Sequence, residues 1–251
     1  MKLRLVRHAT LLVEVGGRRL LVDPMLSDAC SLPSIEGSAN DRRNPLVELP
    51  SPASEVVAGV DVVLVTHTHT DHLDDAAVEA LPDQVPLLCQ PPDEGTLRGR
   101  GFSDVRPVAD RLEIDGLQVT RTGGRHGSGE IGEEMGPVSG FVVEAVDEPT
   151  LYVAGDTIWC EEVRAALGVH RPDIVVVNAG AARFTEGDPI TMAVADVLET
   201  AGAAADARVV AVHMEAINHC LLTRTELREE LQRAGAADHV LVPADGEAAA
   251  L

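Results

Sequence analysis

The chain has 251 residues, 45% of them hydrophobic and 24% charged, a composition that supplies one full core and excludes a low-complexity chain. Against 41 acidic side chains stand 20 basic ones, and the resulting formal charge of −21 excludes nucleic acid as a partner unless the fold hides a basic groove. No apolar run approaches the roughly 20 residues of a membrane-spanning helix, and the N-terminus lacks the apolar stretch and cleavage site of a secretory signal.

Cys30, Cys89, Cys160 and Cys220 stand far apart with no C-x-x-C spacing, which reads as free thiols filling a core in a reducing compartment. The expectation is a cytoplasmic protein with neither a membrane nor a nucleic-acid partner, compatible with a homo-oligomer. Its few aromatic residues leave the core to Val, Leu, Ile and Ala.

Val- and Leu-rich runs at 3–6, 11–15 and 19–23 read as strands, with Gly16-Gly17 as the hairpin turn between the second and third. The stretch 27–54 is polar, holds four prolines and Arg42-Arg43, and shows no periodicity, so it reads as a functional loop or cover rather than a domain linker. A strand at 61–66 follows, then a helix over 74–81 opened by Asp74-Asp75. Further strands are expected at 117–122, 140–146, 150–154, 173–178 and 207–212. Helices are expected at 160–167, at 191–201 after Asp188-Pro189, and at 223–234, where Thr223 and Glu226 form a capping box. Hairpins and helix-separated strands in one chain predict a layered α/β structure with two sheets, a single domain over 1–251.

The chemistry concentrates in VVLVTHTHTDHLDD, where an apolar strand releases His67, His69, Asp71 and His72 into a loop. In extended chain His67 and His69 face the same side, and a turn brings Asp71 and His72 to a second cation beside the first. Imidazole and carboxylate without thiolate suit Zn²⁺, Mn²⁺ or Fe. Three more candidate ligands stand at strand ends: His126 after Gly123-Gly124, Asp156 after Gly155, and His213. Asp156 can offer one oxygen to each of two cations.

With these pieces in order, LLVDP (20–24), THTHTDH (66–72), the GGRHG histidine, SGFVVE (139–144), YVAGDT (152–157) and VVAVH (209–213), the sequence resembles the metallo-β-lactamase-fold hydrolase superfamily over nearly its whole length. The early His-Ala-Thr and LLVDP are most similar to the branch containing L-ascorbate-6-phosphate lactonase. The resemblance implies an αββα sandwich, two mixed sheets flanked by helices, with two divalent metals at one edge. His67, His69 and His126 would hold one metal and Asp71, His72 and His213 the other, with Asp156 bridging; Zn²⁺ is the first choice and Mn²⁺ or Fe the alternatives. Two such ions about 3.5–4 Å apart bring the pKa of a shared water toward 7 and supply hydroxide at neutral pH, with Asp71 placed to move a proton as the leaving group departs. No G-x-S-x-G elbow or activated thiol offers a side-chain nucleophile instead. Two departures stand out: Arg7 precedes the early His where relatives of that branch carry Gly, and the HMEAINHC ending adds Glu215 and His219.

Around this set, His8 is expected beside the site as partner of a ligand or contact of the substrate, and Asp23 as the group that orients a ligand imidazole. His219 competes with His213 for the last ligand position, and His213 is preferred because it ends its strand. His170 and His239 read as surface residues. Arg42, Arg43 and Arg183, with the amides of Gly180 and Ala181, are the candidates to receive an anionic group. The expected substrate is therefore a small anionic metabolite, a lactone, ester or phosphoester, between the metals and the 27–54 loop. An iron-dependent oxidoreductase of the same fold, persulfide dioxygenase-like, and a non-catalytic metal-binding protein are the alternatives.

Overall fold

Two sheets carry the chain, and in each the strands lie side by side in sequence order. The first, in this computed structural model of which residues 1–249 are described, runs β1 (Lys2–Arg7), β2 (Thr10–Val15), β3 (Arg18–Val22), β4 (Val62–Val65), β5 (Leu87–Cys89) and β6 (Val105–Pro107). The meander β1 to β3 is antiparallel and the strands from β3 onward are parallel. The second sheet repeats the scheme: β7 (Arg111–Ile114), β8 (Leu117–Gly123), β9 (Ser139–Ala145) and β10 (Leu151–Val153) are antiparallel. From β10, the strands β11 (Ile174–Asn178), β12 (Arg208–Val212) and β13 (Val240–Leu241) run parallel. Helices α1 (Ala53–Val57), α2 (Asp75–Ala80), α3 (Glu94–Gly99), α4 (Gly129–Met135), α5 (Glu161–His170), α6 (Val194–Ala203) and α7 (Arg224–Arg233), with a 3-10 turn at Pro91–Asp93, complete the described elements.

Alternation along the strands builds three apolar layers. Leu5, Val13, Leu20 and Leu64 meet Val119, Phe141, Val176 and Val210 between the sheets. The opposite face of the first sheet, Val63 and Val65, packs on Val56 of α1, Ala77 of α2 and Leu97 of α3. On the second sheet, Val175 and Val177 pack on Val163 of α5, Val197 of α6 and Leu227 of α7. A strand such as β11 is covered on both faces and reads as an unbroken apolar run for that reason. The result is the expected αββα sandwich of two mixed sheets.

Several short elements lie outside the sequence expectation: β5, β6, β7 and β13, and helices α1, α3 and α4. Strands of two to four residues carry too little alternation to register. Helix α6 starts at Val194 rather than 191, because 190–192 runs extended along the end of β11: Ile190 N donates to Ala182 O at 2.7 Å and Met192 N to Asn178 O at 3.0 Å. The cap is formed by Asp196, which accepts from Ala193 N at 2.9 Å. Cys30 is exposed, so it fills no core; Cys89 and Cys220 are buried and Cys160 partly so.

The 27–54 segment is a cover tied down by buried polar groups. Arg7, the departure noted above, is fully buried and donates to Met25 O (3.0 Å), Ser27 O (2.8 Å) and Val47 O (3.0 Å). Asp74 accepts from both Ser27 N and Oγ, and Asn44 and Asn218 exchange two hydrogen bonds of 2.9 Å. Arg7→Met would leave three carbonyls without their donor, each worth about 1–3 kcal/mol when buried. Urea unfolding of that variant is expected to show a loss of at least about 3 kcal/mol, and unchanged stability would contradict the anchoring role.

Candidate metal centre

The carboxyl ends of strands from both sheets converge on one edge of the sandwich. Strand β1 delivers His8, β3 Asp23, β4 Thr66 and His67, β10 Gly155 and Asp156, β11 Asn178, and β12 His213. His8 (φ 61°), Asp23 (φ 44°) and His213 (φ 64°) all take the left-handed conformation, which costs a non-glycine residue of order 1–3 kcal/mol and recurs at functional sites. Gly155 also has positive φ, and a Cβ there would stand 2.8 Å from Ser139 O. Only glycine lets the chain turn Asp156 inward so close to β9.

The seven candidate ligands come together. His67 Nε2 lies 2.9 Å from His69 Nδ1, and the His126 ring lies 5.4 and 5.2 Å from theirs, centre to centre. His72 Nε2 lies 3.3 Å from His213 Nε2, which is 3.4 Å from Asp71 Oδ2. Asp156 spans the two halves: Oδ1 is 3.3 Å from His213 Nε2, and Oδ2 is 3.3 Å from His72 Nε2 and 3.5 Å from His126 Nε2. Ligand atoms of His67, His69 and His126 lie within 4.8 Å of one another, as do those of His8, Asp71, His72 and His213.

The outer nitrogens fix which atoms face inward. His126 Nδ1 donates to Ile190 O and His72 Nδ1 to Asp23 Oδ2, each at 2.9 Å, so both Nε2 lone pairs point to the centre. Lone pairs and carboxylate oxygens gathered at these distances repel one another unless a cation or protons stand between them. The titration behaviour shows the same field. Burial pushes the Asp156 carboxyl up, but His213, His72 and His126 outweigh it and hold the group well below the usual carboxylate range. Burial lowers His72, yet Asp156, Asp23 and Asp71 raise it well above an ordinary imidazole. The donor set of imidazoles and ionised carboxylates therefore fits divalent cations.

The remaining candidates separate into contacts and bystanders. Asp23 holds the imidazole of His72, and it also accepts from Thr66 N and Oγ1 at 2.8 Å. His8 is fully buried, with Nε2 3.1 Å from Asp71 Oδ2, so its place is behind a ligand and not against a substrate. Burial, aided by His213, brings His8 down to about 3 and keeps it neutral. Glu215 pairs with Arg224 at 2.6 Å and takes no place in the cluster. His219 borders the cavity beside the cluster, with burial lowering it to about 4. His170 and His239 are half-buried, and His239 Nε2 lies 3.2 Å from Ala204 O.

That cavity, about 310 Å³, is lined by His69, Asp71, His126 and Asp156 together with the apolar Ile35, Met135, Phe184 and Ile190. Arg42, Arg43 and Arg183 are exposed and none lines it. The Arg43 guanidinium is engaged by Cys30 O and Ser31 O, and the Ala181 amide donates to Met192 O. Burial raises the thiol of Cys160 and raises that of Cys220 well above its ordinary value.

Sequence reasoning missed three contacts. Asn178 Nδ2 donates to Asp156 Oδ1 at 2.6 Å, Thr66 Oγ1 lies 3.2 Å from His67 Nδ1, and Cys220 Sγ lies 3.5 Å from His213 Nδ1. The polar end of the VVVN strand, beside the strand that delivers Asp156, was the available signal for Asn178. Asp23→Asn puts an amide against the donors of Thr66 and His72, and loss of such an outer partner costs roughly 10–100-fold in metal affinity. A competitive chelator titration is expected to show a weakening of that order, and wild-type affinity would remove the role of Asp23.

The profile of the "Beta-lactamase superfamily domain" matches residues 18–214. The chain is 36% identical to the UPF0173 protein YddR of Bacillus subtilis over 98% of each chain. It is 31% identical to a UPF0173 metal-dependent hydrolase of Azorhizobium caulinodans, over 78% of this chain and 79% of that one. Among solved structures, an isothiocyanate hydrolase from Delia radicum gut bacteria superposes with a TM-score of 0.94 at 42% identity, covering 100% of this chain and 99% of the other.

Proposed function

The chain belongs to the beta-lactamase superfamily and, within it, to the UPF0173 metal-dependent hydrolases, and we propose that it hydrolyses a small neutral electrophile of the isothiocyanate kind on a two-metal site. The observation that carries this reading is the cavity itself: candidate ligands share its lining with Ile35, Met135, Phe184 and Ile190, and no Lys or Arg is among the described residues that line it. Apart from the cations themselves, an anionic substrate would find no positive side chain on the cavity lining, whereas a neutral apolar one loses little on leaving water and meets Ile35, Met135, Phe184 and Ile190. The likeness to the isothiocyanate hydrolase supplies the reactive group.

His67, His69 and His126 would hold one cation, Asp71, His72 and His213 the other, and Asp156 both. Cations bound there would supply Lewis acidity, the chemistry that lowers the pKa of water toward about 7 and polarises an electrophile. The side chains do the rest. Asp156 is fixed by Asn178, and Asp71 is fixed by His8 while it borders the cavity. The Asp71 carboxylate takes one proton of the attacking water as the water oxygen bonds to the central carbon and returns it to the substrate nitrogen, giving a thiocarbamate; transfer of the remaining acidic proton to that nitrogen with cleavage of the C–N bond then gives the amine and carbonyl sulfide. His219, neutral at physiological pH, offers a hydrogen bond to a substrate heteroatom from the cavity lining. The apolar side chains keep bulk water from the cavity.

The test is a substrate panel with metal-loaded protein: an alkyl isothiocyanate, an uncharged lactone, a sugar-phosphate lactone and a phosphodiester. The isothiocyanate is expected to give the highest kcat/KM, with amine released. A sugar phosphate or phosphodiester turned over at least 10-fold better would overturn the neutral-substrate reading.

A further inference from the structure

Beside the metal cavity lies a second, smaller one of about 90 Å³, walled by Met25, Leu32, Pro33 and Ile217. Ile35, Thr70 and Asp71 border both. Met25 and Ile217 are 0% and 2% exposed, and they belong to a small apolar cluster with Ala182, Ile190 and Cys220 that is separate from the three structural cores. Ile35, Met135 and Phe184 pack against this cluster, so one apolar group serves both cavities.

The amide and carboxylate groups near the small cavity are already engaged, and the Ser34 and Thr70 residues are the other polar ones on a lining that is otherwise apolar. The Asn44 side chain is held by Asn218 in both directions and by Pro33 O at 3.2 Å, and the Asn218 carboxamide is shared among Ile35, Asn40 and Asn44. Asp71 Oδ2 is turned to His8 and His213. A buried water needs two to four polar partners, and an apolar cavity without them stays dry and takes up apolar guests. A volume of 90 Å³ is about three times the roughly 30 Å³ that one small molecule such as water occupies in a liquid.

We propose that this side cavity is a subsite for the hydrocarbon tail of the substrate, sized for a chain of about three carbons, whose reactive group lies over the metal cluster in the larger cavity. The partition at Ile35, Thr70 and Asp71 places the tail next to the carboxylate that handles the proton. The segment that supplies Leu32, Pro33 and Ile35 is the cover anchored by Arg7 and by the Asn44–Asn218 pair, so the cover sets which tails are accepted. The kinetic consequence rests on the hydrolase reading above; occupation of the cavity does not.

Two measurements test it. In wild-type, metal-loaded protein the kcat/KM for n-alkyl isothiocyanates is expected to rise about fourfold per carbon from methyl to propyl, the gain for a buried methylene, and then to level off. Leu32→Phe, on the half-buried cover, and Ile217→Phe, in the wall, fill the cavity, and the propyl-to-methyl ratio is expected to fall toward one in each. Bound metal and the unfolding midpoint verify that a variant is intact, and Leu32→Phe carries the test if Ile217→Phe does not fold. The second measurement needs no turnover: xenon-pressurised crystals are expected to show xenon between Met25 and Ile217 in the wild type and none in Leu32→Phe. Chain-length dependence equal in the wild type and an intact variant, or no xenon in the cavity, overturns the subsite. Xenon bound where no isothiocyanate is turned over overturns the isothiocyanate reading and leaves the apolar subsite in place.

Discussion

Asp156→Ala and His67→Ala are expected to lose more metal and more turnover than any change outside the cluster. Asp156 faces His72, His126 and His213 from one carboxyl group, so its removal takes a shared negative charge from both halves at once. His67 lies within ligand distance of His69 and His126 and also of His72 and Asp156. Loss of an outer partner already costs roughly 10–100-fold in affinity or activity, and loss of a ligand is expected to exceed 100-fold. Elemental analysis of the two purified variants beside the wild type measures this, and full metal content with full turnover in either would contradict the ligand assignment.

Gly180→Ala is expected to be the most damaging single change outside the ligand cluster. A Cβ on Gly180 would stand 2.2 Å from the carbonyl oxygen of His213 and 3.0 Å from Cys220 Cβ. Backbone cannot yield as a flexible side chain does, so the β12 end carrying His213 must move. Overpacking of this kind costs about 1–3 kcal/mol, and the contact here is closer than usual. A displacement of about 1 Å in a ligand can cost 10²-fold in rate. The expected result is a stability loss of about 3 kcal/mol with a 100-fold drop in turnover. Wild-type activity in the folded variant would show that His213 does not need its place.

What the sequence disclosed, it disclosed where residue type and position coincide. HxHxDH after a buried strand needs no tertiary information, since four ligands within six residues already share a loop. His126, Asp156 and His213 were legible because each follows an apolar run, and parallel strands bring such ends to one edge. Asp23 was legible through LLVDP, yet its double acceptance from Thr66 was not, because β3 and β4 become neighbours only across the whole 27–54 cover. Arg7 looked like a departure from a motif and is the buried anchor of that cover. Arg42, Arg43 and Arg183 show the opposite limit. A cation in a long loop near a site reads as a substrate contact, but loop residues take their direction from hydrogen bonds such as those of Arg43 to Cys30 and Ser31, which no pattern encodes. The apolar wall was equally hidden, since Ile35, Met135, Phe184 and Ile190 come from separated segments. Two sheets of the same topology were invisible as a repeat because the fold constrains alternation and strand ends, not residue identity.

The central claim is that two cations on these seven side chains are what make the protein a hydrolase. The most direct measurement titrates chelator-stripped protein with Zn²⁺ while following bound metal and hydrolysis of propyl isothiocyanate together. The prediction is no turnover without metal and a rise that saturates at two ions per chain, with Asp156→Ala failing to reach it. Turnover by the stripped protein, or saturation with a single ion bound, would contradict it.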